Sequence, residues 1–507
     1  MKGGLRHTPP LCGLAANPSL PPDLLDRFVA TADAELCADL AERADLSRQQ
    51  VRTLATRGGR DTIIRLIQRH LVTSADVDTA DPEIQLALIN EGDAPDEWAP
   101  ALANHADRSV RSALAAASGV PADVLAVLAR DRDIEVVAQV ARSPHLPTDV
   151  ATLLAEHPHM AVRRALATNA KTPPSLLAAL AAGPTLPTAR LCYGCDGTVE
   201  PPPGMWCRGG HEDALVDLQY AIVSNPATPG AVAETFVDHP AAYVRWALAG
   251  RRDLSPTAYR RLASDPVPGV RGDVAENPTI GENLIRQLAQ DTDPEVRRRL
   301  AHNPTIPLDV LADIASTTRI GPTLLPRIAA ATPDEVERLS RSPVAAVRMA
   351  LAERADLPAN VVDRLAEDPD AKVLKSLAPN PMLTHEQLRV MLATHGRRVA
   401  ARLARNPTCS PELLHELATH VPPVQRAYRF IAEHPNATGS TLVECLRDEQ
   451  ARPIAARHPN LPVGVLVDLL NDPDELVAEA AAANPSLPRS VMEHLLAGRT
   501  VSAAPTD

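Results

Sequence analysis

The chain has 507 residues, 45% of them apolar, yet it carries only three Trp, five Tyr and three Phe, too few for the aromatic-centred cores of ordinary domains of roughly 150 residues each. Proline stands at 49, near twice its usual share of ~5%, and with so high an apolar content this excludes Pro-rich disorder and leaves many short Ala- and Leu-rich helices, each closed by proline. The net charge of -12, with all but four of the 51 cations arginine, argues against a nucleic-acid partner and for guanidinium groups fixed in pairs with carboxylates or carbonyls.

Residues 1–22 hold one apolar patch at 11–16 and then Asn17-Pro18, so no signal peptide is expected. No apolar run approaches the ~20 residues of a membrane span, and a cytoplasmic protein follows by default. From Leu20 onward one phrase returns. It recurs at Leu46, Val120, Leu146, Leu254, Ile280, Ile306, Leu357, Leu383, Leu461 and Leu487, with weaker copies near Val72, Ala94, Thr172, Thr228, Thr332, Cys409 and Ala437. That makes about 18 copies, and the step from Asn277 to Asn303 sets the period at 26. Each copy holds two helical segments, as in PADVLAVLA at 121–129 and DPEVRRRLA at 293–301. Apolar residues at i, i+3 or i+4 and i+7 give each one inward stripe. The prolines suit a first helical turn and disfavour helix in the residue before them. Helices of this length persist only by stacking on neighbours, the logic of a solenoid.

The composite phrase NPxLPxxLLxxLAxDPxxxVRxxLA resembles the leucine-rich repeat variant family, over most of residues 17–496. The resemblance implies a right-handed superhelix of alternating α and 3₁₀ helices without strands, and a binding or scaffolding role rather than a reaction. The period of about 26 is longer than the family's unit, and the D-P-x-V-R phrase of the second helix is similar to HEAT repeats. The expected fold is therefore an all-α, right-handed α-solenoid of about 18 two-helix repeats of ~26 residues. Residues 1–183 form its first array and 212–496 its continuation, with a Cys-rich insert at 184–211 and a disordered tail at 497–507.

Between Thr172 and Thr228 the spacing is 56 instead of 26, so about 30 residues interrupt one repeat between a first helix at 173–182 and a second at 212–224. The insert reads Cys192-x2-Cys195-x11-Cys207-x3-His211. Two thiolates two residues apart chelate one ion from a tight turn, Gly194 and Gly197 let backbone N–H groups approach the sulfurs, and Cys207 with His211 closes a tetrahedral site. So apolar-poor a loop needs a staple, and zinc is the first expectation. An iron–sulfur cluster is the alternative, since the family resemblance implies that cysteine-rich cluster modules can accompany such repeats. Cys12, Cys37, Cys409 and Cys445 are read as small buried or half-buried hydrophobes.

Arginine follows the valine of the second helix at Arg111, Arg163, Arg245, Arg271, Arg297 and Arg348, and the steps of 26 from 245 to 271 to 297 predict a column. Either the column is an internal ladder to carboxylates and helix carbonyls, or it is a binding ridge for acidic segments. His157, His239, His434 and His458 sit before proline where other copies have Asn, Asp or Ser, and read as hydrogen-bonding boundary residues. In His415-Glu416-Leu417-Ala418-Thr419-His420 the second His is at +5, off the face a zinc-protease helix needs. Phosphate-cradling and nucleophile-elbow motifs are absent from the sequence, so no enzyme is expected. The reading is a non-enzymatic scaffold for a protein partner with a structural metal loop; the alternative is a redox or metal-sensing protein. Trp98, Trp246, Tyr243, Tyr259 and Tyr428 are the available anchors, or else packing residues.

Overall fold

The computed structural model describes residues 7–183 and 212–498. Among these residues it is built of α-helices with a single 3₁₀ turn, Glu234–Phe236, and no strand. The chain forms two compact units, one of residues 78–319 and one of residues 1–77 with 320–507.

Within each unit the expected two-helix repeat is present. The Leu308–Thr317 helix follows Pro307, whose ψ of 141° holds the chain extended until the helix starts. The Pro294–Leu300 helix carries Pro294 in its first turn and is capped by Asp293, whose side chain accepts from the Glu295 N–H. Val296 and Leu300 of that helix are fully buried. The aspartate cap recurs at Asp133 before Ile134–Ala141 and at Asp474 before Glu475–Ala482, without the proline. Burying one such Leu or Val contributes roughly 1.5–3 kcal/mol, and an array of small helices accumulates these increments without aromatic rings. In the 78–319 unit one core cluster runs without a break from Leu86 to Ile222, crossing repeat after repeat.

Both helices of a repeat are α-helical, which departs from the α/3₁₀ alternation that the family resemblance implies. The first closes i→i−4 bonds such as Ala129 N–H to the Leu125 carbonyl, and the second does so at Val137 N–H to the Asp133 carbonyl. At about 26 residues the repeat has room for a second full α-turn.

At many junctions a polar side chain ties a repeat to the one before. Asn303, fully buried, donates through Nδ2 to the carbonyls of Ala275 (2.9 Å) and Asn277 (2.8 Å), while its Oδ1 accepts the Thr305 N–H. These bonds satisfy carbonyls that a helix C-terminus leaves open. Asn169 repeats the pattern on Ala141 and Ser143, and Asn406 on Ala378 and Asn380. Arginine fills the same position at Arg43, Arg251 and Arg354, each reaching back to two carbonyls of the preceding repeat. Histidine fills it at His434 and His458, whose Nε2 atoms face the Asn406 and His434 carbonyls. The insertion leaves this register intact. Asn225 bonds to Ala167 and Asn169 across 58 and 56 residues, 30 more than the 28 and 26 of the other rungs.

In the unit of residues 1–77 and 320–507 the ladder continues past the ends of the chain. Asn17 donates to the carbonyls of Ala482 (2.8 Å) and Asn484 (2.7 Å), and Arg43 in turn to those of Ala15 and Asn17. The Pro9–Ala15 helix therefore stacks on the Glu475–Ala482 helix as the next repeat would. Gly13 makes the approach possible, since a Cβ there would lie 2.0 Å from the Glu479 carbonyl oxygen.

Candidate protein-binding surface

The four metal ligands expected from the sequence, Cys192, Cys195, Cys207 and His211, lie outside the described residues, as does the tail from 499. The flanking helices, Pro174–Ala182 and Glu212–Ser224, form at the expected places. Cys37, Cys409 and Cys445 are buried as expected. Burial pushes the thiols of Cys409 and Cys445 up to about 12, so neither is a nucleophile at neutral pH. Cys12 is only half-buried, with its Sγ 3.1 Å from His7 Nε2.

The arginine column exists, and its guanidinium groups are spent inside the repeats. Arg111, Arg245, Arg271 and Arg348 each hold, through Nε and a terminal nitrogen, an aspartate 20 residues on: Asp131, Asp265, Asp291 and Asp368. The Nε–oxygen distances are 2.6–2.7 Å, the geometry of a planar fork on a carboxylate. The other terminal nitrogen donates to the carbonyl six residues back, as from Arg271 to Asp265. Arg297 donates to Thr318 Oγ1 and to the Asp291 carbonyl, and Arg163 to the carbonyls of His157 and Glu156. The four aspartates also accept the N–H two residues on, so each carboxylate fixes both its own turn and its neighbour. Arg271, opposed by burial, holds the Asp291 carboxyl below the usual carboxylate range. Arg452 with Asp472 adds a rung to the same scheme. It escapes the Val-Arg pattern because Ala451 precedes it, but the 20-residue Arg-to-Asp spacing would have found it.

The boundary histidines act as hydrogen-bonding stand-ins for aspartate and asparagine. His157 and His239 accept the N–H of His159 and Ala241 through Nδ1, and His239 Nε2 meets Gln219 Oε1 at 2.9 Å. His415 and His420 are engaged separately, with Thr441 Oγ1 and the Pro422 carbonyl.

The aromatic residues divide. Tyr259 and Tyr428 are buried, and the Tyr259 hydroxyl donates to the Arg251 carbonyl. Tyr243 and Trp246 are exposed, at 39% and 42%, on the Ala242–Ala249 helix. Tyr220, 44% exposed on the preceding Glu212–Ser224 helix, joins them, its ring centroid 5.6 Å from that of Tyr243. On the other side the Trp246 indole lies against Gly269 in the Pro268–Glu276 helix, where a Cβ would fall 2.3 Å from the ring. The result is an aromatic strip across three successive second helices. It borders a cleft of about 390 Å3 lined by Arg164, Asp217, Tyr220, Ser224 and Pro226, with Arg164 and Asp217 paired at 2.7 Å. Rigid, amphipathic rings beside a charged pair are the composition of a protein-interface core and its rim. Sequence reading missed Tyr220 because only the stacking of helices decides which face of the segment after the insert is left outside.

No family profile and no curated protein matches the chain. Among solved structures it is similar to a leucine-rich repeat variant with a novel repetitive structural motif, at 20% identity and a TM-score of 0.30, over 51% of this chain and 87% of that one. It is also similar to an engineered protein, at 18% identity and a TM-score of 0.17, over 95% and 99% of the two chains. A third is the karyopherin Kap121p, crystallised with Pho4p, at 13% identity and a TM-score of 0.22, over 96% of this chain and 51% of the karyopherin, so the chain spans about half that protein's length. The likeness is one of helical-repeat fold.

Proposed function

We propose that the chain is a non-enzymatic repeat scaffold that binds a protein partner through Tyr220, Tyr243 and Trp246, with residues 184–211 forming a zinc-stapled loop through Cys192, Cys195, Cys207 and His211. The observation that carries the reading is that strip. In a chain this poor in aromatics, three of them stand 39–44% exposed on adjacent helices, while the arginines that might have formed a ridge are consumed internally.

A random peptide library selected against the full-length protein tests the surface. The selected peptides are expected to lose about 30-fold or more in affinity when Trp246 or Tyr220 is changed to Ala, the size of an interface hot spot, and to be indifferent to Val127→Ala, which is 55% exposed elsewhere in the same unit. Peptides that bind the Tyr220→Ala, Trp246→Ala double variant as well as the parent would sink the assignment. The loop is tested by elemental analysis and absorbance of anaerobically purified protein beside a Cys192→Ser, Cys195→Ser variant. Zinc lost in the variant supports the staple. Iron with sulfide and visible absorbance replaces it with the redox reading, and the same metal content in both proteins removes these ligands.

A further inference from the structure

The N-terminal segment brings together three side chains of metal-ligating type that the scaffold does not use. His7 precedes the Pro9–Ala15 helix, Cys12 lies on it, and Asp39 lies on the Ala34–Leu40 helix. His7 Nε2 is 3.1 Å from Cys12 Sγ and 3.5 Å from Asp39 Oδ2, and one donor atom from each of the three residues falls within 4.8 Å of the other two. Ligands bound at 2.0–2.3 Å around a tetrahedral ion stand roughly 3.5 Å apart, so the three donors need only small movements to share one ion.

Two further contacts favour a ligand set over a chance meeting. The His7 backbone N–H donates to Asp33 Oδ2 at 2.8 Å, and Asp33 also caps the Ala34–Leu40 helix through the Leu36 N–H, so the ring is carried on an anchored stretch of chain. The other ring nitrogen, Nδ1, faces Glu35 Oε2 at 3.7 Å. Drawn in by roughly 0.7 Å to hydrogen-bond distance, this carboxylate would fix the tautomer of a ligating imidazole and raise its basicity, as an outer-shell partner does.

We infer that His7 Nε2, Cys12 Sγ and Asp39 Oδ2 form a three-ligand zinc site. One imidazole, one thiolate and one carboxylate suit a borderline-soft ion and not magnesium or calcium, which take oxygen donors. Binding replaces the Cys12 S–H bond with a metal–sulfur bond and releases the proton to water. The fourth position is left to solvent, because His7 and Asp39 also line a cleft of about 560 Å3 that extends to Arg60, Thr62 and Arg65. The ion would tie the Pro9–Ala15 helix to the Ala34–Leu40 helix. The site is independent of the aromatic strip and of the loop at 184–211.

The test uses the full chain with Cys192, Cys195 and Cys207 changed to Ser, so that the loop cannot compete, and cobalt(II) as the probe. One cobalt per chain is expected, with a thiolate-to-metal charge-transfer band and the d–d absorption of a four-coordinate ion. Zinc should displace it and raise the unfolding temperature. Cys12→Ser should abolish the charge-transfer band without changing the helical circular dichroism. Glu35→Gln, on a side chain 76% exposed and outside the core, should weaken cobalt binding roughly 10- to 100-fold and leave the band in place at saturation. Absence of the band in the parent, or its persistence in Cys12→Ser, would overturn the site. Cobalt affinity unchanged in Glu35→Gln would remove the outer-shell argument and with it the assignment of His7 Nε2.

Discussion

Two helix junctions in this molecule are made the same way and reached by different routes. Where Pro294–Leu300 follows Pro268–Glu276, Asn303 donates to two carbonyls 28 and 26 residues back along the chain. Where Pro9–Ala15 meets Glu475–Ala482, Asn17 donates to two carbonyls 465 and 467 residues away, over the same distances to within 0.1 Å. The buried faces match as well, with Leu14 and Leu300 both fully covered. The difference lies in the connection. Pro268–Glu276 and Pro294–Leu300 are joined by a single folded repeat, whereas Pro9–Ala15 and Glu475–Ala482 have no short link, so either can leave the other without opening a connecting segment. The stacking surface of the repeat is thus generic enough for the Glu475–Ala482 helix to accept the Pro9–Ala15 helix as a neighbouring copy.

The largest effect expected on either junction comes from its leucine. Leu300→Ala and Leu14→Ala each remove a fully buried side chain and should each cost ~2–5 kcal/mol of local stability. Their reach should differ. Leu300→Ala acts inside a contiguous array and should lower the unfolding midpoint of the 78–319 unit, whereas Leu14→Ala should release the Pro9–Ala15 and Glu475–Ala482 helices to amide exchange well before the rest of their unit unfolds. Exchange that rises uniformly through that unit in Leu14→Ala would show the terminal junction to be as strong as an internal one. Next come the amides. Asn17→Ala and Asn303→Ala each strip two buried carbonyls of their donor, at ~1–3 kcal/mol for each group left unpaired. Exchange in the double variant Leu14→Ala, Asn17→Ala, compared with the singles, measures whether the rung and the leucine act as one element.

The repeat and much of its wiring were legible in the sequence, and the parts that were not share a cause. Proline, asparagine and the apolar stripe are local signals read within one copy, which is why the helix starts, the 26-residue period and the 30-residue interruption between Ala182 and Glu212 emerged from residues alone. The arginine column was visible as a spacing, but its partners Asp265, Asp291 and Asp368, each 20 residues on, went unremarked. Exposure was harder to read. Tyr259 stands at the core leucine position of a first helix, Tyr428 at the arginine position of a second helix, and Tyr243 just before the buried Val244, so the repeat register bears on which ring is covered. The pairing of Asn17 with Ala482 and Asn484 lay beyond any local reading, because its partners lie 465 and 467 residues away along the chain. The His7, Cys12 and Asp39 cluster was hidden in the same way, since its members look like a stray terminus, a small hydrophobe and a helix surface until the helices stack.

Acid gives the gentlest way to separate the two kinds of rung. Asp291 has its carboxyl held below the ordinary range by Arg271 against the opposing effect of burial, and in Asp265 the cost of burial is outweighed by Arg245 and the Val267 N–H. A carboxyl depressed in the folded state adds stability that is complete above its unfolded value of ~3.9 and is lost as pH falls through the folded value. The Arg–Asp rungs should therefore weaken as pH drops below about 4, while the amide rungs, with no proton to gain, should hold. Amide exchange followed from about pH 6 to about pH 3, corrected for intrinsic rates, should accelerate first in the Pro268–Glu276 and Pro294–Leu300 helices. Asn277 and Asn303, bonded to carbonyls, local N–H groups and threonine hydroxyls, should keep the ends of those helices ordered after their middles loosen. Loss of protection at Asn303 before the turns that hold Asp265 and Asp291 would reverse the ranking and place the pH-sensitive element outside the Arg–Asp ladder.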